Sequence, residues 1–261
     1  MNRKVWIVIP ARFKSQRFPG KPLANLQGQP MINWVVKACR AVSIPCEVAV
    51  ATDDQRIADV VAAAGGRVEM TSEDHRSGTE RLVEVARRNL DVEWFVNVQG
   101  DEPGIEPELI ARVIRRLQDR ADPDLVVSAA TALKSSADYK SPHVVKVVTD
   151  IKGQALYFSR AAIPFLQAEK DIAADFSESK LPVLQHLGIY GYSGRFLRRL
   201  SSLPAGVLAA AENLEQLNWL ENGFSIEIIE CDSPWSGIDT PEELELFASR
   251  WPGPDSRHNG I

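Results

Sequence analysis

Four cations crowd into Arg12-Phe13-Lys14-Ser15-Gln16-Arg17-Phe18-Pro19-Gly20-Lys21, directly after the apolar run Val5-Trp6-Ile7-Val8-Ile9. A guanidinium offers a planar fork of N–H donors to phosphate oxygens, whereas an ammonium acts as a mobile point charge. On one loop behind a buried strand, Arg12, Arg17 and Lys21 have the chemistry to neutralise a polyphosphate. Gly20 permits close backbone approach, and Pro10, Pro19 and Pro22 stiffen the path. Taken alone, the same residues also read as a solvated basic turn. The spacing is neither the Gly-x-x-x-x-Gly-Lys-Ser/Thr phosphate loop nor the Gly-x-Gly-x-x-Gly dinucleotide fingerprint.

Phosphate chemistry calls for carboxylates that can hold a hard cation. Asp101 stands in Gln99-Gly100-Asp101-Glu102-Pro103, just after the apolar stretch Trp94–Val98, and Asp239 stands in Gly237-Ile238-Asp239-Thr240-Pro241. Such a pair would screen a triphosphate and acidify an attacking hydroxyl through Mg²⁺. The plainer readings are a turn aspartate and a residue at the start of a helix. Asp53 and Asp54 also follow a strand, where capping and packing are equally good roles. His75-Arg76-Ser77-Gly78-Thr79-Glu80-Arg81 combines hydroxyls with a glycine turn suited to a base or ribose, although Glu80 and Arg81 also suit a first helical turn. Further on, Arg160 has the geometry to clamp a carboxylate, and His186 and Tyr190 can bond hydroxyls. Glu215, Gln216 and Asn218 share a helical face. Each of these also reads as a structural polar residue.

The elements that position these groups alternate in the first half. Strands are expected at 5–9, 48–51, 67–70, 94–98 and 125–129, and helices at 31–41, 57–64, 79–89 and 107–118. Repeated βα units imply an α/β fold, with a mostly parallel sheet covered by helices on both faces. After residue 140 the pattern changes. Val144–Thr149 and Gln154–Phe158 flank a hairpin signal at Asp150-Ile151-Lys152-Gly153. The stretch 165–183 is polar and aperiodic. A strand at 187–192, helices at 195–201 and 210–221, and a strand at 224–229 follow. Thr240-Pro241-Glu242-Glu243 carries a capping box for a last helix. The chain divides on this reading into an alternating βα core (1–139), a segment opening with the hairpin (140–210), a return to the core (211–250) and a flexible tail (251–261).

The chain has 261 residues, 44% hydrophobic and 25% charged, with a formal net charge of -5. That balance gives no general attraction to nucleic acid, and the basic residues form no stripe. No apolar run approaches the roughly 18 residues of a membrane span, and the N-terminal residues lack a signal-peptide pattern. Neither nucleic acid binding nor membrane insertion is expected. Cys39, Cys46 and Cys231 lack metal-ligand spacing, and an odd count suits a reducing, cytoplasmic setting.

Taken together, the phrases from Pro10–Leu23, Val50–Asp54, His75–Arg81, Asn97–Pro103, Ala155–Arg160, His186–Tyr192, Leu214–Leu217 and Gly237–Leu244 resemble the 3-deoxy-D-manno-octulosonate cytidylyltransferase (CMP-Kdo synthetase) family, in family order. The resemblance implies a Rossmann-like nucleotidyltransferase fold with a smaller α+β dimerisation and acceptor segment, and a homodimer. It implies transfer of CMP from CTP to the anomeric hydroxyl of 3-deoxy-D-manno-octulosonate (Kdo), giving CMP-Kdo and pyrophosphate and feeding lipopolysaccharide synthesis. By position, Ala11, Arg12, Arg17, Lys21, Arg76, Ser77 and Gly78 would bind the nucleotide, with Arg12 and Lys21 acting on the leaving pyrophosphate. Asp101 and Asp239 would hold Mg²⁺. Gln99, Arg160, His186, Tyr190, Glu215 and Gln216 would surround the sugar. Two departures stand out: Asn218, where Arg is common, and Ser141-Pro142-His143, where an Asn-Pro-Asn-like form is common. They leave room for a related acid sugar such as 8-amino-Kdo or a nonulosonate. The rival readings are a sugar-1-phosphate uridylyltransferase, which needs a second phosphate clamp, and a nucleotide-sensing protein without turnover.

Overall fold

A computed structural model describes residues 4–14, 17–133, 135–167, 183–232 and 237–251. The chain forms two compact units, Met1–Arg115 with Ser233–Ile261, and Arg116–Asp232. These boundaries differ from the sequence segmentation, which placed strand 125–129 in the core. In space that strand pairs with elements from residues 184–230, a long-range choice that no local pattern encodes.

The first unit opens with β1 (Val5–Ala11), buried at every position. A two-residue hairpin follows, β2 (Asn25–Leu26) and β3 (Gln29–Pro30), turning on Gln27 and Gly28 with positive φ. Helix α1 (Met31–Arg40) buries Met31, Ile32, Val35, Val36 and Cys39 on one face. Full burial of each large apolar side chain contributes roughly 1.5–3 kcal/mol. Pro30 stands at the N-cap of α1. Next come β4 (Glu47–Thr52), α2 (Gln55–Ala63), β5 (Arg67–Met70), α3 (Gly78–Arg88), β6 (Trp94–Asn97) and α4 (Pro107–Arg120), which contains the boundary after Arg115. The strand order is β6–β1–β4–β5, every pair parallel. Each helix packs on strands it connects or passes: α1 on β1 and β4, α2 on β4 and β5, and α3 on β1, β4 and β6.

The second unit is a mixed sheet. It contains β7 (Val126–Ala132), α5 (Ser136–Lys140), β8 (Lys146–Thr149), β9 (Ala155–Ser159), β10 (Leu184–Ser193), α6 (Gly194–Leu200), α7 (Val207–Glu212), α8 (Glu215–Glu221) and β11 (Ile226–Glu230). β7 pairs with β11 in parallel and with β10 antiparallel, and β10, β8 and β9 continue antiparallel. The expected hairpin forms between β8 and β9. Asp150 Oδ1 accepts from Lys152 N at 2.8 Å and Gln154 N at 2.9 Å, and Gly153 takes φ 78°. An aromatic core joins Tyr190 and Tyr192 of β10, Phe196 of α6 and Trp219 of α8. Most of the polar stretch 165–183 lies outside the described residues, as does nearly all of the tail 251–261.

One expected helix, 210–221, is two. Asn213 adopts the left-handed conformation (φ 51°, ψ 51°) between α7 and α8. Asparagine tolerates that region through its short polar side chain. Glu221 then reaches back to accept from the amides of Leu208 and Ala209, at 2.9 and 3.0 Å, at the start of α7.

The chain returns to the first unit with α9 (Pro241–Arg250). Its capping box is formed by Thr240 and Glu243. Phe247 and Trp251 pack with Leu26, Met31 and Ile238, and Trp34 meets Trp251 edge-on at 5.1 Å.

The α7–α8 corner gives a stability test. Asn213→Val should cost about 1–2 kcal/mol, the strain of a β-branched residue in the left-handed region. Asn213→Gly should stay within a few tenths of wild type. Equal urea midpoints for the valine and glycine variants would contradict this geometry.

Candidate functional site

In the first unit the strand order turns at β1, because β4 and β5 extend to one side and β6 to the other. Ligands of open parallel sheets sit outside the carboxyl ends of the strands at such a switch point. Both motif loops leave from that place. The basic loop follows β1, and Gln99-Gly100-Asp101 follows β6. Gly100 passes so close to β1 that a Cβ would stand 2.9 Å from the Pro10 carbonyl oxygen. Ile238 N donates to the Asp101 carbonyl at 2.9 Å, which lays residues 237–239 alongside Asp101.

The basic loop is closed by its own backbone. Gly20 N donates to Phe13 O at 2.9 Å, with Gly20 left-handed at φ 72°. The Phe13 ring backs Gly20 and carries the Arg56 guanidinium 3.4 Å from its centroid. Arg12 leaves the end of β1 as an exposed residue.

Three distant segments meet at Lys21. Its Nζ lies 2.5 Å from Asp101 Oδ2 and 3.1 Å from Asp239 Oδ1, and Lys21 is only 12% exposed. Arg17 Nη2 stands 2.7 Å from Asp239 Oδ2. Two carboxylates and two cations therefore balance. The pair suits a divalent cation by chemistry and convergence, since hard cations take carboxylate oxygens and both groups already close on one positive charge. No larger cluster of His, Cys, Asp and Glu with metal-site geometry occurs among the described residues. Burial, and then the Asp101 charge beside it, push the Glu102 carboxyl up to about 8.

The turn 75–78 lies against the same strand end. A Cβ on Gly78 would stand 2.9 Å from Pro10 Cγ and 3.7 Å from Gln99 Oε1. Gln99, expected beside the sugar, thus neighbours the turn 75–78 expected to bind the nucleotide. Ser77 caps α3 by accepting from Glu80 N at 3.2 Å, and Arg76 N donates to Glu80 Oε2 at 2.6 Å. His75 Nε2 meets Glu84 Oε2 at 2.5 Å. The nearby acids take structural roles. Asp53 pairs with buried Arg81 at 3.0 Å, while Asp54 caps α2 and pairs with Arg56.

The second unit gathers the other candidates. His186 is held by Ser128, whose Oγ lies 3.0 Å from Nε2 and also donates to Ile189 O at 2.8 Å. With its proton spent on Ile189, the hydroxyl accepts from His186 Nε2–H, leaving Nδ1 as the acceptor. Burial drives the imidazole down to about 3, so it stays neutral. Tyr190 packs against His186 and Trp219, and burial followed by the Glu215 charge raises its phenol well above the usual range. Gln216 is buried and Glu215 exposed. Main-chain carbonyls take three of the five N–H groups of Arg160: Glu212 O at 2.9 Å, Pro142 O at 3.0 Å and Asn213 O at 3.4 Å. Asn218 turns toward the α7–α8 corner, where its Oδ1 accepts from Asn222 at 3.4 Å.

Sequence reasoning missed Ser128, Glu212 and Lys146. Only Lys146, a lone cation inside Val144-Val145-Lys146-Val147-Val148, carried a readable signal. A cavity of about 700 Å³ lined by Arg40, Cys46, Glu47 and Arg67 lies at the amino ends of β4 and β5 in the first unit. That edge is opposite the one used by parallel-sheet ligand sites.

A cation loop and carboxylates at the switch point of a parallel sheet define a nucleotide-handling α/β protein, and the profile of the Cytidylyltransferase family matches residues 6–228. The chain is 46% identical over 250 residues to 3-deoxy-manno-octulosonate cytidylyltransferase of Geotalea daltonii, covering 95% of this chain and 98% of the relative. It is 46% identical over 241 residues to the protein of that name from Geobacter sulfurreducens, covering 91% and 95%. Among solved structures, CMP:2-keto-3-deoxy-manno-octonic acid synthetase complexed with CTP superposes with a TM-score of 0.86 at 40% identity, over 94% of this chain and 97% of that one. At 14% identity and a TM-score of 0.61, 4-diphosphocytidyl-2C-methyl-D-erythritol synthase shares the fold, over 95% and 99% of the two chains. The chain belongs to the 3-deoxy-manno-octulosonate cytidylyltransferase family.

The neutral His186 gives a pH test. In the unfolded chain its imidazole titrates near the ordinary 6.5, in the folded chain near 3. Between those values only the unfolded chain binds the proton, so this group's contribution is full above about 6.5 and declines as pH falls toward 3. The His186 ring resonances should stay those of a neutral imidazole from pH 8 to 5. A titration near 6.5 would contradict the burial.

Proposed function

We propose that this chain transfers CMP from CTP to the anomeric hydroxyl of 3-deoxy-manno-octulosonate and releases pyrophosphate. The observation that carries the reading is Lys21 held between Asp101 and Asp239 in a chain that matches its relatives over nearly their whole length. Ala11, Arg12, Arg17 and Lys21 receive the triphosphate, and Arg76, Ser77 and Gly78 receive the base and ribose. As phosphate oxygens arrive, Arg17 and Lys21 exchange their carboxylates for them, and Arg12 and Lys21 offset charge on the departing pyrophosphate. Asp101 and Asp239 would hold Mg²⁺, which when bound screens the phosphates and acidifies the attacking hydroxyl. The hydroxyl attacks the α-phosphorus in line, its O–P bond forming as the bond to pyrophosphate breaks.

Arg160 meets the acceptor's carboxylate, and His186, Tyr190, Glu215, Gln216 and Gln99 bond its hydroxyls. His186 orients and does not serve as a base, because a neutral imidazole titrating near 3 has little proton affinity at neutral pH. Residues 140–210 supply the contacts of a homodimer. Phe165 and Leu156, 85% and 62% exposed, are apolar surface of the kind a partner covers. The reaction is cytoplasmic and supplies the acid sugar for lipopolysaccharide. Among the described residues no helix is long and apolar enough to cross a membrane.

Pyrophosphate release with CTP and Mg²⁺, measured across 3-deoxy-manno-octulosonate, its 8-amino form and nonulosonates, should be fastest with the first and yield CMP-sugar of matching mass. Silence with that acid and turnover of another would reassign the acceptor. Asp101→Ala should lower kcat by on the order of 100-fold or more, while CTP affinity without metal changes less than about threefold. Near-normal turnover of the purified variant would remove Asp101 from the metal site.

A further inference from the structure

We propose that Lys146 is a positioning residue of the acceptor site, one that fixes the Arg160 guanidinium from beneath. The proposal rests on the reading that Arg160 meets the acceptor's carboxylate. Lys146 is a fully buried cation, 0% exposed, in the middle of a sheet. Its register explains its reach. On β8 it stands opposite Ser159 of β9 on one side and Gln185 of β10 on the other, so it lies between the strand that delivers Arg160 and the strand that delivers His186. The amide of His186 itself donates to Val145 O at 2.9 Å.

The ammonium spends all three protons on main-chain carbonyls: Val144 O at 2.6 Å, Arg160 O at 2.7 Å and Ser141 O at 2.8 Å. Two of these belong to the loop that also holds Pro142, and the carbonyl of Pro142 accepts from Arg160 Nη1 at 3.0 Å. Lys146 therefore secures the backbone under Arg160 and the loop that receives the tip of the same side chain. Glu212 closes the circuit, accepting from Arg160 N at 2.9 Å and Ser159 Oγ at 2.5 Å. Burying an ammonium is costly unless its protons are satisfied. Burial lowers the Lys146 pKa, opposed by the Glu212 charge. A structural hydrophobe would fill the space between β9 and β10 at no such cost. What it would not supply is three diverging donors that tie one loop to one strand end.

The test compares Michaelis constants for the acid acceptor and for CTP in wild type, Lys146→Gln and Arg160→Gln. Lys146→Gln should raise the acceptor KM about tenfold and leave the CTP KM within about twofold, since only acceptor binding loses a pre-set carboxylate clamp. The Arg160 Nε–H resonance, assigned by its loss in Arg160→Gln, should exchange slowly in wild type and faster in Lys146→Gln. Should Lys146→Gln not fold, Lys146→Arg keeps charge and donors but cannot seat them on the same three carbonyls. It should then raise the same KM about threefold. An unchanged acceptor KM, or parallel rises in both KM values, overturns the positioning role. If Arg160→Gln raises the acceptor KM while the Lys146 variants do not, the role of Arg160 stands and that of Lys146 falls. If Arg160→Gln changes nothing, both fall.

Discussion

Two carboxylates drawn onto one largely buried ammonium organise the first unit. Lys21, Asp101 and Asp239 come from the loop after β1, the loop after β6 and the segment before α9, and their charges oblige these to converge. Each approach has its own mechanical cause. Gly100 lets the Asp101 loop touch the Pro10 carbonyl, and Gly20 lets the basic loop fold onto Phe13. The backbone bond from Ile238 to Asp101 brings the last segment alongside, and the apolar cluster of Leu26, Met31, Phe247 and Trp251 secures α9 behind it. Breaking one partner of such a pair leaves the other charge poorly solvated, so geometry and charge support each other.

The second unit relies on buried polar groups that are satisfied. Ser128 fixes the tautomer of His186, and the aromatic packing around Tyr190 and Trp219 keeps that imidazole neutral. Lys146 and Arg160 together bond six main-chain carbonyls of residues 141–144, 160 and 212–213. Networks of this type specify one arrangement because every alternative leaves a carbonyl or an N–H unpaired in low dielectric. The result is an Arg160 guanidinium held in one orientation, and orientation set before binding is not taken from binding energy later.

Much of this was legible in the residues. Alternating apolar runs and amphipathic stretches located all four parallel strands of the first unit and α1–α4 to within a few residues, because each buries a face whose period is visible locally. Asp150 and Gly153 announced the hairpin, and Thr240 with Glu243 the cap of α9, through bonds that span only a few residues. Expectation failed where a single residue changes the local conformation. Asn213 divides a stretch that otherwise reads as one helix, and Glu221 completes the corner from thirteen residues away.

The sequence by itself determined the chemistry on offer: a cation-rich loop behind a buried strand, two acids fit for a hard cation, and polar side chains suited to hydroxyls and a carboxylate. Residue type and local spacing suffice for that. The tertiary structure alone decided which of these groups work together. It separated Asp101 and Asp239, which share Lys21, from Asp53 and Asp54, which serve Arg81 and Arg56. It turned Asn218 to a helix corner, and it made Lys146 the link between β9 and β10. The reason is physical. Burial, charge pairing and strand register depend on neighbours far apart along the chain, and no local pattern contains them.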